Sequence, residues 1–267
     1  MIKVVVTGAA GRMGSRIINV LSTMDGIKLA AAVEKKGNPL VGQDSGGPAG
    51  LPPTGVNITD DLDAALAAGE VLIDFTTPES SLDHIRACAD HHRPIVIGTT
   101  GLSKDEAAQV AKYADNIPVV LSPNMSIGVN LSFKVLQEIA RTLGDDYDVE
   151  IVESHHRMKK DAPSGTAMKM AQVLAQALHR DLDEVGVYAR KGLIGERSKK
   201  EIGIQTIRAG DIVGEHTVYF AGKGERIELT HRAHSRDTFA AGAVRAALWI
   251  AGRKPGMYDM QDVLGLK

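Results

Sequence analysis

The side chains best suited to chemistry lie in one stretch, Glu153-Ser-His-His-Arg-Met-Lys-Lys-Asp-Ala-Pro-Ser-Gly-Thr166. His155, His156, Arg157, Lys159 and Lys160 put two imidazoles and three cations into six positions. Such a cluster repels itself unless it faces solvent or an anion. The turn Pro163-Ser-Gly-Thr166 follows, and then an apolar-periodic run over residues 167–178 that reads as a helix. Ser164 or Thr166 is placed to cap that helix, whose free N–H groups and positive dipole end attract negative charge. Cations, a helix start and proton donors together suit a small polyanion, most simply a carboxylate substrate. A solvated basic loop before an ordinary capped helix is the plainer alternative.

The elements that would position these groups begin at the N-terminal end. Residues 2–7 form a short β-branched apolar run that reads as a buried strand. Gly8-Ala-Ala-Gly11-Arg-Met-Gly14 follows, and residues 15–21 have a helical pattern. Strand, glycine turn and helix is the setting of a dinucleotide fingerprint, although the spacing is G-x-x-G-x-x-G and not G-x-G-x-x-G. The physical need is the same: a tight turn, close backbone approach to a pyrophosphate, and a helix N-terminus aimed at it. A tight turn that binds nothing would carry similar glycines. The second strand, residues 29–33, ends in Glu34-Lys35-Lys36. Glu34 is spaced to accept hydrogen bonds from an adenosine ribose, and Lys35 and Lys36 would attract a 2′-phosphate. This acid-then-base order points to use of both NADH and NADPH and does not rank them.

Further strands are expected over residues 71–75, 94–97 and 118–121, with helices over 60–68, 79–91 and 103–114. Ser103 and Glu106 have capping-box spacing, and residues 37–56 read as a Gly- and Pro-rich loop. Alternating short strands and helices imply an α/β, Rossmann-like, doubly wound parallel sheet, with ligands beyond the carboxyl ends of its strands. Thr76, Thr77, Gly98, Thr99, Thr100, Ser122, Pro123, Asn124 and Met125 fall at those ends, a polar rim where a nicotinamide would lie.

The pattern changes after a long helix over residues 126–143. Residues 147–153 alternate, with Tyr147, Val149 and Ile151 on one face of a half-exposed strand. Residues 192–200 read as a polar loop, 202–207 as a strand, and 216–220 with 226–231 as a hairpin around Gly222-Lys-Gly224. This second region reads as α+β with a mixed, one-sided sheet whose open face suits another subunit. Asp237 is expected to cap a final apolar helix, residues 238–251, that packs back onto the first domain. The expected domains are 1–126 for the dinucleotide, completed by 237–267, and 127–236 for substrate and oligomerisation.

Composition excludes several classes of function. At 267 residues, 43% hydrophobic and 24% charged, the chain can bury a sizeable core. Its net charge of −2 provides no global field for nucleic acid. Cys88 is the only cysteine, which rules out an intramolecular disulfide and a cysteine-based zinc site. Met1-Ile-Lys-Val-Val-Val enters a strand without a signal-peptide layout, and no apolar run approaches the ~20 residues of a membrane span. A cytoplasmic protein with no nucleic-acid or membrane partner is expected. His155 and His156 point to opposite faces of an extended segment, so no shared metal is expected. Arg157 could clamp a carboxylate or pair with Glu153.

Together these residues resemble the dihydrodipicolinate reductase (4-hydroxy-tetrahydrodipicolinate reductase) family of the diaminopimelate and lysine pathway. The resemblance rests on Gly8-Ala-Ala-Gly-Arg-Met-Gly14, Asp74-Phe-Thr-Thr-Pro78, Gly98-Thr-Thr-Gly101, Pro123-Asn-Met-Ser-Ile-Gly-Val-Asn130 and the basic stretch itself. It continues in Gly214-Glu-His-Thr217, Gly224-Glu-Arg-Ile-Glu228 and His231-Arg-Ala-His-Ser-Arg236, and so spans nearly the whole chain. It implies a homotetramer built through the central sheet, NADH or NADPH as cofactor, and a cyclic, dicarboxylated imine-type substrate derived from pyruvate and aspartate semialdehyde. It further implies His155 as acid/base, Lys159 as proton donor, and His156, Ser164, Gly165 and Thr166 around a substrate carboxylate. Gly8, Ala9, Ala10, Gly11, Arg12 and Met13, with Glu34 and Lys35, would hold one end of the cofactor. Gly98, Thr99, Thr100, Ser122, Pro123, Asn124 and Met125 would hold the other. Met158 stands where many family members carry a polar or basic residue, which lowers the local charge. Hydride addition to a C=N or conjugated C=C bond leaves negative charge that needs a proton, a task suited to Lys159 or His155. Two other functions stay open: an aspartate or homoserine dehydrogenase with the same two-domain plan, and an NAD(P)H-sensing regulator without chemistry.

Overall fold

The computed structural model describes residues 1–267. In chain order its first half contains β1 (Ile2–Thr7), α1 (Arg12–Leu21), β2 (Ile27–Val33), α2 (Gly46–Ala49), β3 (Ile58–Thr59), α3 (Leu62–Ala68), β4 (Val71–Asp74), α4 (Pro78–Asp90), β5 (Ile95–Ile97), α5 (Lys104–Tyr113) and β6 (Pro118–Leu121). Then follow α6 (Ile127–Leu143), β7 (Asp148–His155), α7 (Gly165–Ala177), α8 (Leu182–Val185), β8 (Gly186–Val187), β9 (Ile202–Arg208), β10 (Gly214–Ala221) and β11 (Arg226–Ala233). The chain finishes with α9 (Asp237–Ile250), β12 (Gly256–Tyr258) and α10 (Met260–Leu264). It divides into two compact units, Met1–Ile127 with Arg236–Lys267, and Gly128–Ser235.

The first unit contains a seven-stranded parallel sheet in the order β12-β6-β5-β4-β1-β2-β3. Its central strands are mostly apolar because helices cover both faces: Val4, Val5, Val6, Leu72, Ile73, Ile95, Val96 and Ile97 are fully buried. The chain reverses direction across the sheet between β1 and β4, so the turns after these strands flank the switch point. The expected capping box at Ser103 and Glu106 is present, with both reciprocal bonds made. Helix α9 presents Ala240, Ala243, Ala246 and Ala247 to the core around β1 and α1. Gly242 allows the closest approach there, since a Cβ at that position would lie 1.8 Å from the Met125 carbonyl oxygen.

Several expectations need correction. Asp237 does not cap α9: Arg236 holds the cap position and makes no side-chain cap bond, and Asp237 is the first helical residue. The Asp237 carboxylate pairs with Arg16 on α1 at 2.5 Å. Residues 37–56 are not all loop, because Gly46–Ala49 make one helical turn. The tail is not a simple apolar end: β12 pairs with β6, and Asp259 caps α10 through a second capping box.

The second unit contains a mixed five-stranded sheet in the order β11-β10-β7-β9-β8. β10 runs antiparallel to β7 and β11, whereas β9 is parallel to β7 and β8. The expected alternation along β7 holds, with Val149, Ile151 and Glu153 buried and their neighbours half-buried. The buried face packs against α6 and α7 through Leu136, Ala140, Met170, Leu174, Ile204, Val218 and Phe220. No helix is long and apolar enough to cross a membrane. Gly242→Ala should lower first-unit stability by about 2–4 kcal/mol, because a buried methyl has no room against a backbone carbonyl. Thermal unfolding should show the drop, and an unchanged midpoint would refute this account of the helix packing.

Candidate active site

In the first unit, the turn after β1 is shaped by backbone contacts. Gly8 has φ +61°, and its carbonyl oxygen accepts the Gly11 N–H at 2.8 Å. A Cβ at Gly14 would sit 2.1 Å from that same oxygen, so the turn can close only over glycine. Gly11 occupies the N-cap of α1 with no side-chain cap bond, which leaves the first turn of the helix, from Arg12 and Met13 on, to meet an anion. Ala9 is buried and donates its N–H to Val33. The Ala10 N–H donates to Glu34 Oε1 at 3.0 Å, and Glu34 Oε2 accepts from Asn38 Nδ2. Glu34 thus braces the glycine turn from the end of β2, while Lys35 is exposed beside it. This cradle fits a dinucleotide pyrophosphate.

The polar rim is organised by Asp74, a fully buried carboxylate at the end of β4. It accepts bonds from Thr7 Oγ1 at 3.0 Å, from Thr76 through N–H and hydroxyl, and from Ser81. His84 Nδ1 lies 3.3 Å away. Burial alone would raise the Asp74 pKa, but His84, Ser81 and Thr76 hold it below the usual carboxylate range. Thr99 Oγ1 accepts from the Thr76 N–H and lies 2.8 Å from the Ser81 hydroxyl oxygen. Gly98 is buried, Thr100 is exposed, and Ser122 donates to the Asn124 carbonyl at 2.9 Å. Pro123 is exposed, and Met125 is buried in the core with its carbonyl against Gly242.

The second unit is built around Glu153, which has no solvent exposure. Its carboxylate accepts from His155 Nδ1 at 2.6 Å, from Arg208 through both terminal nitrogens at 2.8 Å, from the Ser164 N–H at 2.9 Å and from Thr206 at 3.3 Å. Burial would raise the Glu153 pKa, but these donors bring it down to about 2. The partner of Glu153 is therefore Arg208 from β9. Arg157 is exposed, and its N–H donates to Gly210. Ser164 is the N-cap of α7: its oxygen accepts from Ala167 N and bonds His216 Nε2 at 3.0 Å. That hydroxyl is engaged inside the unit, whereas Gly165 is exposed and Thr166 half-buried at the start of the helix. His155 and His216 meet edge to face, with ring centroids 5.3 Å apart. Burial, followed by the nearby His155, pushes the His216 pKa down to about 3. His156 is half-buried, and Lys159 Nζ lies 2.9 Å from Asp161. The nearest charged partner of Lys159 is thus an anion, not one of the flanking cations.

Sequence reasoning gave no function to Glu153, Arg208 or His216. One signal was available: the two-residue period puts Glu153 and His155 on the buried face with Ile151, and puts His216 on the face of Val218 and Phe220.

The two units define the class, a pyridine-nucleotide-dependent oxidoreductase. A family model described as dihydrodipicolinate reductase, N-terminus, matches residues 2–125, and one described as dihydrodipicolinate reductase, C-terminus, matches residues 128–264. The chain belongs to the dihydrodipicolinate reductase family. It is 61% identical to a 4-hydroxy-tetrahydrodipicolinate reductase of Syntrophus aciditrophicus and 59% identical to one of Geotalea uraniireducens, each over the full length of both chains. A dipicolinate-bound dihydrodipicolinate reductase from Paenisporosarcina sp. TG-14 is 25% identical with a TM-score of 0.76, covering 98% of this chain and 99% of that one. An amine dehydrogenase from Mycobacterium smegmatis shares the fold alone, at 16% identity and TM-score 0.59, covering 96% of this chain and 94% of that one.

The two buried groups set the acid response. An unfolded glutamate titrates near 4.5 and the folded Glu153 near 2, so its contribution is present above pH 4.5 and lost as pH falls toward 2. An unfolded histidine takes a proton near 6.5 and His216 only near 3, so folding loses stability as pH falls from 6.5 to 3. Urea unfolding at fixed protein concentration should show stability falling below pH 6.5 in two phases. His216→Gln should flatten the upper phase and spare the lower one; an upper phase unchanged by the substitution would contradict the assignment.

Proposed function

We propose that this chain catalyses the NAD(P)H-dependent reduction of 4-hydroxy-tetrahydrodipicolinate to tetrahydrodipicolinate in diaminopimelate and lysine biosynthesis. The observation that carries the reading is the Glu153–His155 pair tied through the Ser164 N–H to the start of α7, in a chain that belongs to the dihydrodipicolinate reductase family. The helix start at Gly165 and Thr166, with His156 at the beginning of the loop before it, suits a substrate carboxylate by charge and by its N–H groups. Ser164 builds that start from beneath as its cap. Lys159 supplies the proton that neutralises the charge left after reduction, and His155 exchanges protons as acid/base.

The Gly8-to-Met13 turn takes the pyrophosphate, and Glu34 and Lys35 take the adenosine ribose with or without a 2′-phosphate. Gly98, Thr99, Thr100 and the Ser122-to-Met125 segment line the nicotinamide end. When bound, the reduced nicotinamide supplies a hydride. Glu34 favours a free ribose and Lys35 with Lys36 a phosphorylated one, so both NADH and NADPH serve. The protein works as a cytoplasmic homotetramer that joins subunits through the open face of the mixed sheet. Supporting this, Gln205 lies on that face with a buried Nε2 that has no partner, and Ile207 beside it is 46% exposed.

The test is loss of nicotinamide absorbance with NADH and NADPH in parallel, on substrate freshly formed from pyruvate and aspartate semialdehyde. Substrate-dependent oxidation is expected with both cofactors. Cofactor binding without oxidation would move the function to another dehydrogenase substrate or to a sensor. Lys159→Ala should lower turnover by about 10²–10⁴ and leave cofactor affinity nearly unchanged. Equal losses in both would remove Lys159 from the proton-donor role.

A further inference from the structure

We propose that Glu153 is the positioning residue for His155: its carboxylate fixes the ring with the proton on Nδ1 and leaves Nε2 as the atom that exchanges protons with the substrate. The proposal rests on the reading of His155 as the acid/base group.

Glu153 and His155 are two apart on β7, so their side chains leave the same face. Glu153 Oε2 lies 2.6 Å from His155 Nδ1. Every other polar neighbour of the carboxylate is a donor: the Arg208 fork, the Ser164 N–H and the Thr206 hydroxyl. A carboxyl surrounded only by donors has nowhere to direct a proton of its own, so it is ionised and the shared hydrogen belongs to the imidazole. Neutral His155 is then the Nδ1–H tautomer, with a lone pair on Nε2, and protonated His155 gives up its Nε2 proton. One atom serves as both base and acid.

Charged and titratable groups come from each packed element. Glu153 on β7 bonds the ring and His216 on β10 meets it edge-on, Arg208 on β9 bonds Glu153, and Lys159 pairs with Asp161 in the following loop. Arg208 alone would satisfy a buried structural carboxylate. The imidazole held at 2.6 Å, on a charge already paired, is what a positioning role requires. The Ser164 bond extends the same anchor to the helix start that would hold the substrate carboxylate.

The test joins an NMR reading with two variants. In the wild type, imidazole nitrogen and carbon shifts of neutral His155 should report the Nδ1–H tautomer. Glu153→Gln, whose amide cannot accept fully from both Arg208 and the ring, should shift the population toward Nε2–H. It should cut kcat by about 10²–10⁴, the range of an acid/base residue held in the wrong tautomer, with an altered pH profile and unchanged affinity for NADPH alone. A wild-type ring in the Nε2–H form overturns the proposal, even if the variant fails to fold. So does a folded Glu153→Gln protein with full kcat and an unchanged pH profile, or one whose activity falls while the tautomer stays put. His155→Gln separates the two readings. If it retains full activity, the acid/base assignment itself fails; if it is inactive while Glu153→Gln is fully active, only the positioning role fails.

Discussion

A carboxylate with no solvent exposure has to be compensated within the protein, because a buried charge left unpaired costs several kcal/mol. Glu153 imposes that requirement on the second unit. Its donors come from β7, from two positions on β9 and from the residue that caps α7, so one charge joins the central strands to the helix beneath them. His216 completes the arrangement by bonding the cap hydroxyl of Ser164 and meeting the His155 ring edge-on. The basic loop can then carry several cations at the surface, since the scaffold below it is already neutralised and closed.

The first unit solves a related problem with Asp74. It too is a buried carboxylate near the end of a strand, but its donors are hydroxyls and one N–H, with His84 3.3 Å away and no arginine. Thr76, Ser81 and Thr99 are thereby locked to one another around the turn after β4. In both units an acid at or near the end of a strand orders residues beyond it. The difference lies in the partners: a guanidinium fork can balance a full charge, whereas hydroxyl donors spread the load over several weaker bonds.

The parallel sheet was legible because its longer strands are mostly apolar and run into short polar or glycine-bearing turns. The long helices were legible from periodicity, and the residue 103–114 helix also from its capping box. What was missed is short or locally featureless. β3, β8 and β12 have two or three residues each and depend on a neighbouring strand, and α2 is a single turn. At the site, the basic stretch announced itself by charge density, which drew attention to Arg157 as the partner of Glu153. The true partner, Arg208, is separated from Glu153 by 55 positions and is brought alongside by the parallel pairing of β7 with β9. Periodicity places a residue on a face, but register with a distant strand decides which charges meet.

The two units differ in how the chain supplies them. The second is one continuous segment, whereas the first is interrupted and takes α9, β12 and α10 from the end of the sequence. The alanine face of α9 is part of the same core as β1 and α1, and β12 forms the outer edge of the parallel sheet. During synthesis, therefore, the mixed sheet can close as soon as β11 has emerged. The nucleotide-binding sheet must wait with part of its core open to solvent until α9 arrives. The second unit's chain is thus complete before the first unit's, although translation begins with the first.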